Sequence, residues 1–153
     1  METTLKIKGV IDFVIKDVNG NIKDAWTVNN LITSAGKAQI ALLAGDASAV
    51  PFTYLALGTS NSAVTVGQTS LVGEITTLGL ARASATVSRT TTTVTNDTLQ
   101  LVYTWTASGT VTVEEIGVFN AASSGTMLGR ALTGSKSLVN TETLTATYKV
   151  IFS

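Results

Sequence analysis

The stretch Thr141-Glu142-Thr143-Leu144-Thr145-Ala146-Thr147-Tyr148-Lys149-Val150-Ile151-Phe152 decides the fold class. Leu144, Ala146, Tyr148, Val150 and Phe152 alternate with Thr143, Thr145, Thr147 and Lys149. A period of two sends one set of side chains to a core and the other to solvent, which is the mark of a strand with one buried face. Leu99, Leu101, Tyr103 and Trp105 repeat it. Working outward, runs rich in Thr, Val, Ala and Leu occupy 52–58, 78–89, 98–107, 112–119 and 126–132, with turn-forming clusters between them.

Toward the N-terminus, Leu5 to Val28 reads as one hairpin (5–28), because Asn19-Gly20 is a favoured pair for a two-residue turn with positive φ. With Val18 facing Asn21, Phe13 falls opposite Trp26 and Ile11 opposite Val28, so the large apolar residues coincide on one face. The one helical window is 34–44, with Ser34 as N-terminal cap, Ile40 and Leu43 sharing a face with Gly36, and Gly45 as the stop. About eight strands, Thr as the main solvent-facing residue and one short α-helix after the hairpin imply an all-β fold. The expected architecture is a β-sandwich of jelly-roll type forming a single domain over residues 1–153.

Composition narrows the function. Ten Lys+Arg balance ten Asp+Glu, and charged residues make up 13% of the 153 residues, against a typical ~25%. That argues against nucleic-acid binding, as does the absence of any basic cluster around Arg82 or Arg89. Hydrophobic residues are 44% of the chain and mean hydropathy is +0.35, which is apolar for a surface wholly in water, so part of that surface is expected to meet a partner. With no Cys and no His, triads, Cys/His dyads, thiolate or imidazole zinc sites and disulfides are excluded. The N-terminal residues lack a leader pattern, and no run approaches the ~20 apolar residues of a membrane helix. The expectation is a soluble chain without a membrane partner.

Each chemical-looking constellation has a plainer reading. Glu114 and Glu115 are adjacent in a strand and point to opposite faces, so they cannot act on one bond. Asp17-Val18-Asn19-Gly20-Asn21 resembles part of a calcium loop but lacks the later acidic ligands, and a hairpin turn explains it. The stretch from Gly129 to Ser137 imitates a phosphate loop, yet Ser135 separates the second Gly from Lys136, and a turn between the last strands is expected instead. Asn96-Asp97-Thr98 reads as a turn rather than a glycosylation site. Trp26, Tyr103, Trp105 and Tyr148 fall on apolar registers and read as core. No catalytic, cofactor-binding or metal-binding residue is predicted. The uncharged stretch 59–73 is expected to be either mobile or ordered by another chain, with Ala63, Val64, Val66, Leu71 and Val72 as the candidate partner contact.

Asn30-Leu31-Ile32-Thr33 before a Gly-containing helix, Tyr54-Leu55-Ala56-Leu57-Gly58-Thr59, Leu71 with Glu74, Glu115-Ile116-Gly117-Val118-Phe119-Asn120, Gly125-Thr126-Met127-Leu128 and the Thr-rich closing strand together form a pattern. From about Asn29 onward it resembles small structural proteins of tailed bacteriophages. The resemblance implies a β-rich, oligomeric, non-enzymatic virion protein, assembled in the host cytoplasm and carrying no cofactor. Capsid cement or decoration is the leading expectation, with the major capsid protein and further copies of the chain as partners, a trimer first and a dimer next. The alternatives are a tail-fibre or head-spike module that binds a host surface, and a carbohydrate-binding or carbohydrate-active sandwich, which would require two carboxylates facing each other across a cleft.

The alternation in the closing strand gives a direct test. Leu144→Asp is expected to destabilise the fold by several kcal/mol and Thr145→Asp by less than ~1 kcal/mol, measured by denaturant unfolding. Equal costs would show that the assigned faces are wrong.

Overall fold

The computed structural model describes residues 1–153. Strands β1 (Ile7–Lys16) and β2 (Ile22–Asn29) form the N-terminal hairpin, followed by the short β3 (Leu31–Ile32) and helix α1 (Ser34–Gly45). Then come β4 (Tyr54–Gly58), β5 (Ala83–Ser84), β6 (Thr86–Thr90), β7 (Thr98–Thr106), β8 (Val111–Phe119), β9 (Met127–Leu138) and β10 (Thr143–Phe152). They build two five-stranded antiparallel sheets, β2-β1-β10-β7-β6 and β3-β9-β8-β4-β5. The all-β sandwich is therefore the fold. Ten strands replace eight because the two-residue β3 carries too little pattern to be read and the run 78–89 is split into β5 and β6. β1–β2 and β6–β7 are hairpins closed inside one sheet.

The faces are those the alternation requires. Leu144, Ala146, Tyr148 and Val150 are buried together with Ile11, Phe13, Ile15, Leu101 and Trp105, and they meet Leu55, Leu57, Ile116 and Val118 of the opposite sheet. Trp26 and Tyr103, half-buried, pack against this core; Phe13 stacks on Trp26 with ring centroids 4.8 Å apart.

In the hairpin, Phe13 pairs with Trp26 and Ile11 with Val28, as the apolar coincidence demands. The turn itself differs. Asp17 N–H bonds to Asn21 O at 2.9 Å, closing a three-residue loop Val18–Gly20, and Lys23 is left unpaired between Ile15↔Asp24 and Lys16↔Ile22. The bulge absorbs the extra loop residue and restores the register. Gly20, at φ 81°, supplies the left-handed position, and the Asp17 carboxylate accepts the N–H groups of Asn19 and Asn21 at 2.9 and 3.0 Å. The calcium-like fragment is thus engaged with its own turn.

Three further local readings are corrected. The helix is capped by Thr33, whose Oγ1 accepts the Gly36 N–H at 2.9 Å and donates to the Met127 carbonyl at 2.6 Å; Ser34 donates its N–H to Val66 O instead. At the C-terminal end the cap is Asp46, not Gly45. The stretch from Gly129 to Ser137 lies inside β9, where Gly134 (φ 84°) and Ser135 (φ 57°) form a bulge opposite Glu114, and the chain turns only at 139–142. Asp97, by contrast, does turn the chain between β6 and β7.

That turn also governs the acid response. The N–H groups of Val94, Thr92 and Thr93, with the Thr98 hydroxyl, hold the Asp97 carboxyl far below the usual carboxylate range. The Thr27 hydroxyl and Lys149 lower Asp12, and Lys23 with the Val139 N–H lowers Glu142. A depressed folded-state pKa contributes stability that is complete above the unfolded value, about 4, and is lost as pH falls through it toward the folded value. Burial pushes the Tyr148 phenol up, opposed in part by Asn30, so its contribution is complete below the unfolded value near ~10 and lost as pH rises past it. With no His in the chain, the melting temperature is expected to stay flat between about pH 6 and 9 and to fall on either side. A step within that plateau, measured by thermal scans in matched buffers, would contradict this assignment.

Candidate functional site

Alternation along β8 sends Ile116 and Val118 to the core and Glu115, Gly117 and Phe119 to the outer face of the second sheet. On neighbouring β9, Arg130 stands opposite Gly117 and so lies diagonal to Glu115 on that same face. Both charged side chains are 0% exposed, and Arg130 Nε meets Glu115 Oε2 at 2.5 Å. They are covered by residues 59–73, which leave β4 and return to pair beside it: Thr59 N–H reaches Gly73 O and Ile75 N–H reaches Leu57 O, both at 2.8 Å.

The pair orders the segment above it. Glu115 accepts the N–H groups of Val72 at 3.2 Å and Gly73 at 2.7 Å. Arg130 donates through Nη1 to Ser62 O (2.9 Å), Ala63 O (3.4 Å) and Gln68 Oε1 (3.3 Å), and through Nη2 to Ser60 O (3.4 Å). Burying two charges is tolerable only where such bonds replace water around both. Gly58 is part of the design, since a Cβ there would strike the Glu115 carboxylate.

These contacts decide the fate of the predicted partner surface. Residues 59–73 are held by hydrogen bonds within their own chain. Leu71 is buried with Ala56, Phe119 and Met127 and is not available to a partner; an apolar side chain facing an apolar strand surface packs there first. Val66 and Val72 remain exposed, at 48% and 57%, as does Ala63, while Val64 is half-buried. Sequence reasoning missed Glu115 and Arg130 as a unit by grouping one with Glu114 and the other with a false phosphate loop. The available signal was a single charge inside each of two apolar strand runs. Glu114 accepts the Ser135 hydroxyl at 2.6 Å and takes no part in the Glu115–Arg130 pair.

A second ion pair lies on the same outer face. Arg82 holds Glu74 through two bonds, Nε–Oε1 at 2.8 Å and Nη2–Oε2 at 2.7 Å. Its Nη1 donates to the carbonyls of Ala121 (3.0 Å) and Ser124 (2.8 Å), and the guanidinium carbon lies 3.7 Å from the centre of the Phe119 ring. Beside this pair is an open depression of about 330 Å³ lined by Glu74, Thr76, Arg82, Ser123 and Ser124 among others. It holds one carboxylate, so the facing pair that glycoside hydrolysis uses is not assembled there. No three His, Cys, Asp or Glu side chains gather to hold a metal ion.

The chain belongs to the family described as podophage GP4 fiber I protein gp80, which residues 30–151 match. Membership makes it a phage structural protein and a component of the virion. The match opens at Asn30, one residue from where the resemblance read from the sequence begins, and leaves the β1–β2 hairpin outside. No curated protein matches the chain.

Removing one partner of the buried pair should be costly. Arg130→Met is expected to lower stability by about 3–5 kcal/mol, because Glu115 and the carbonyls of 60–63 lose their partner inside the protein. Hydrogen exchange at the Val72 and Gly73 amides should accelerate in the same variant. Wild-type stability and exchange would show that the segment is held by something other than this pair.

Proposed function

We propose that the chain is a non-enzymatic structural module of a phage fibre. The family match carries this reading, and the buried Glu115–Arg130 pair supports it, because a loop pinned from beneath gives a module a fixed outer surface suited to repeated contacts. The family description speaks of a fibre, so fibre takes precedence over the capsid-cement role, and the partner proposed here is another copy of the same chain. The exposed Ala63, Val66 and Val72, in a stretch with no charge, offer a surface that a copy can cover without stripping water from ions. Binding of a host surface belongs to the same reading.

The test is location in intact particles. Gold-labelled antibody against the chain, or density fitted by electron cryo-microscopy, is expected at discrete projecting fibres. Copies spread evenly over the capsid lattice would overturn the fibre reading in favour of cement.

A further inference from the structure

We propose that the depression beside Arg82 and Glu74 binds a neutral, hydroxyl-rich ligand, a saccharide. Its charge is the first argument. Arg82 and Glu74 neutralise each other through two short bonds, so nothing is left over to draw a phosphate or an amine. Glu74 nevertheless keeps 25% of its side chain exposed, and the carboxylate has lone pairs beyond the two that face Arg82.

The second argument is the set of free groups. Thr76, Ser123 and Ser124 are among the residues that line the depression, and their hydroxyls form no hydrogen bond within the chain. With the Glu74 oxygens they supply mixed donors and acceptors, which is what the hydroxyls of a sugar ring require. No large apolar side chain lines the site, so a lipid tail or an apolar peptide has little to bury there. The Phe119 ring, which could have stacked on a sugar, is capped by Arg82.

The third argument is that the rim is set in advance. Ser124 (φ 51°) and Gly125 (φ 74°) are consecutive left-handed residues, and Arg82 fixes the first by bonding its carbonyl. A rim held this way needs no ordering when a ligand arrives. The volume, about 330 Å³, is at the small end of ligand sites and admits one or two sugar rings. An open, hydrogen-bonding site without stacking binds a single sugar weakly, and many copies on one fibre would raise the avidity. That adhesive use rests on the fibre reading; the binding itself does not.

The full-length protein, labelled with ¹⁵N, would be titrated with glucose, galactose, mannose and N-acetylglucosamine in turn. At least one is expected to shift the amides of Arg82, Ser123, Ser124 and Gly125 saturably, with a dissociation constant in the millimolar range. Thr76→Val and Ser123→Ala, both exposed positions, should each weaken that binding about fivefold to tenfold. Glycylglycine amide and inorganic phosphate serve as probes of the competing ligand classes. No saturable shift with any of the four sugars, shifts confined to other residues, or an equal response to the peptide or phosphate would overturn the proposal. Sugar binding by a chain that particle imaging places on the capsid lattice would uphold the site and remove its fibre role.

Discussion

The outer face of the second sheet depends on one buried interaction, the contact between Glu115 and Arg130. Neither charge could stay there alone, since an unpaired ion out of water costs several kcal/mol even after relaxation. Together they still need partners for the remaining oxygens and N–H groups, and the backbone of 60–73 supplies them together with the Gln68 side chain. The path of that segment is therefore set by hydrogen-bond directions, not by apolar attraction, which has no direction. Once the segment is in place it brings Leu71 onto Ala56, Phe119 and Met127, creating a second small core on the far side of the sheet. Phe119 in turn is the surface on which Arg82 lies, so the depression beside Arg82 is built outward from the same origin.

What the sequence discloses follows from how local each signal is. The closing strand and the hairpin register were legible because alternation and cross-strand coincidence involve neighbours along or across one ladder. The turn at Asn19-Gly20 was misread by one residue, yet the register survived because the bulge at Lys23 cancels the error. Thr33 is the cap where the local pattern points to Ser34, because its second bond, to Met127, belongs to a strand distant in sequence. The order of strands, and the covering of Glu115 and Arg130 by 59–73, join segments far apart in sequence. No periodicity reports such pairings. A lone charge in an apolar run marks a buried ion, but it does not say which loop will cover it.

The β1–β2 hairpin lies outside the family match but not outside the structure. β1 is inserted between β2 and β10, pairs with β10 from Ile7↔Phe152 to Lys16↔Thr143, and contributes Ile11, Phe13 and Ile15 to the main core. Without it, β10 would present an open edge, and Leu144, Ala146 and Tyr148 would lose their lateral neighbours Ile11, Phe13 and Ile15. The ion pairs that fasten the hairpin, Lys23–Glu142, Lys136–Asp24 and Lys149–Asp12, are partly exposed, and pairs of that kind contribute about 0–1 kcal/mol each. Apolar burial therefore holds the hairpin, and the ion pairs fix its alignment. In this chain the segment that the family match omits is a structural member of the sheet, not an appendage.

The distribution of charge joins the fold to its proposed use. Lys23, Arg82, Arg130, Lys136 and Lys149, five of the ten basic residues, are engaged with carboxylates of the same chain. Between Asp24 and Glu74 the only charged residues are Lys37 and Asp46. A surface so neutral exerts little long-range attraction, because fields from compensated pairs cancel within a Debye length of about 8 Å in physiological salt. Association must then be selected at contact, by shape and hydrogen bonds, after partners have already met. The proposed assembly into a fibre would provide that condition, since neighbouring copies would be held at high local concentration and need no steering to find one another.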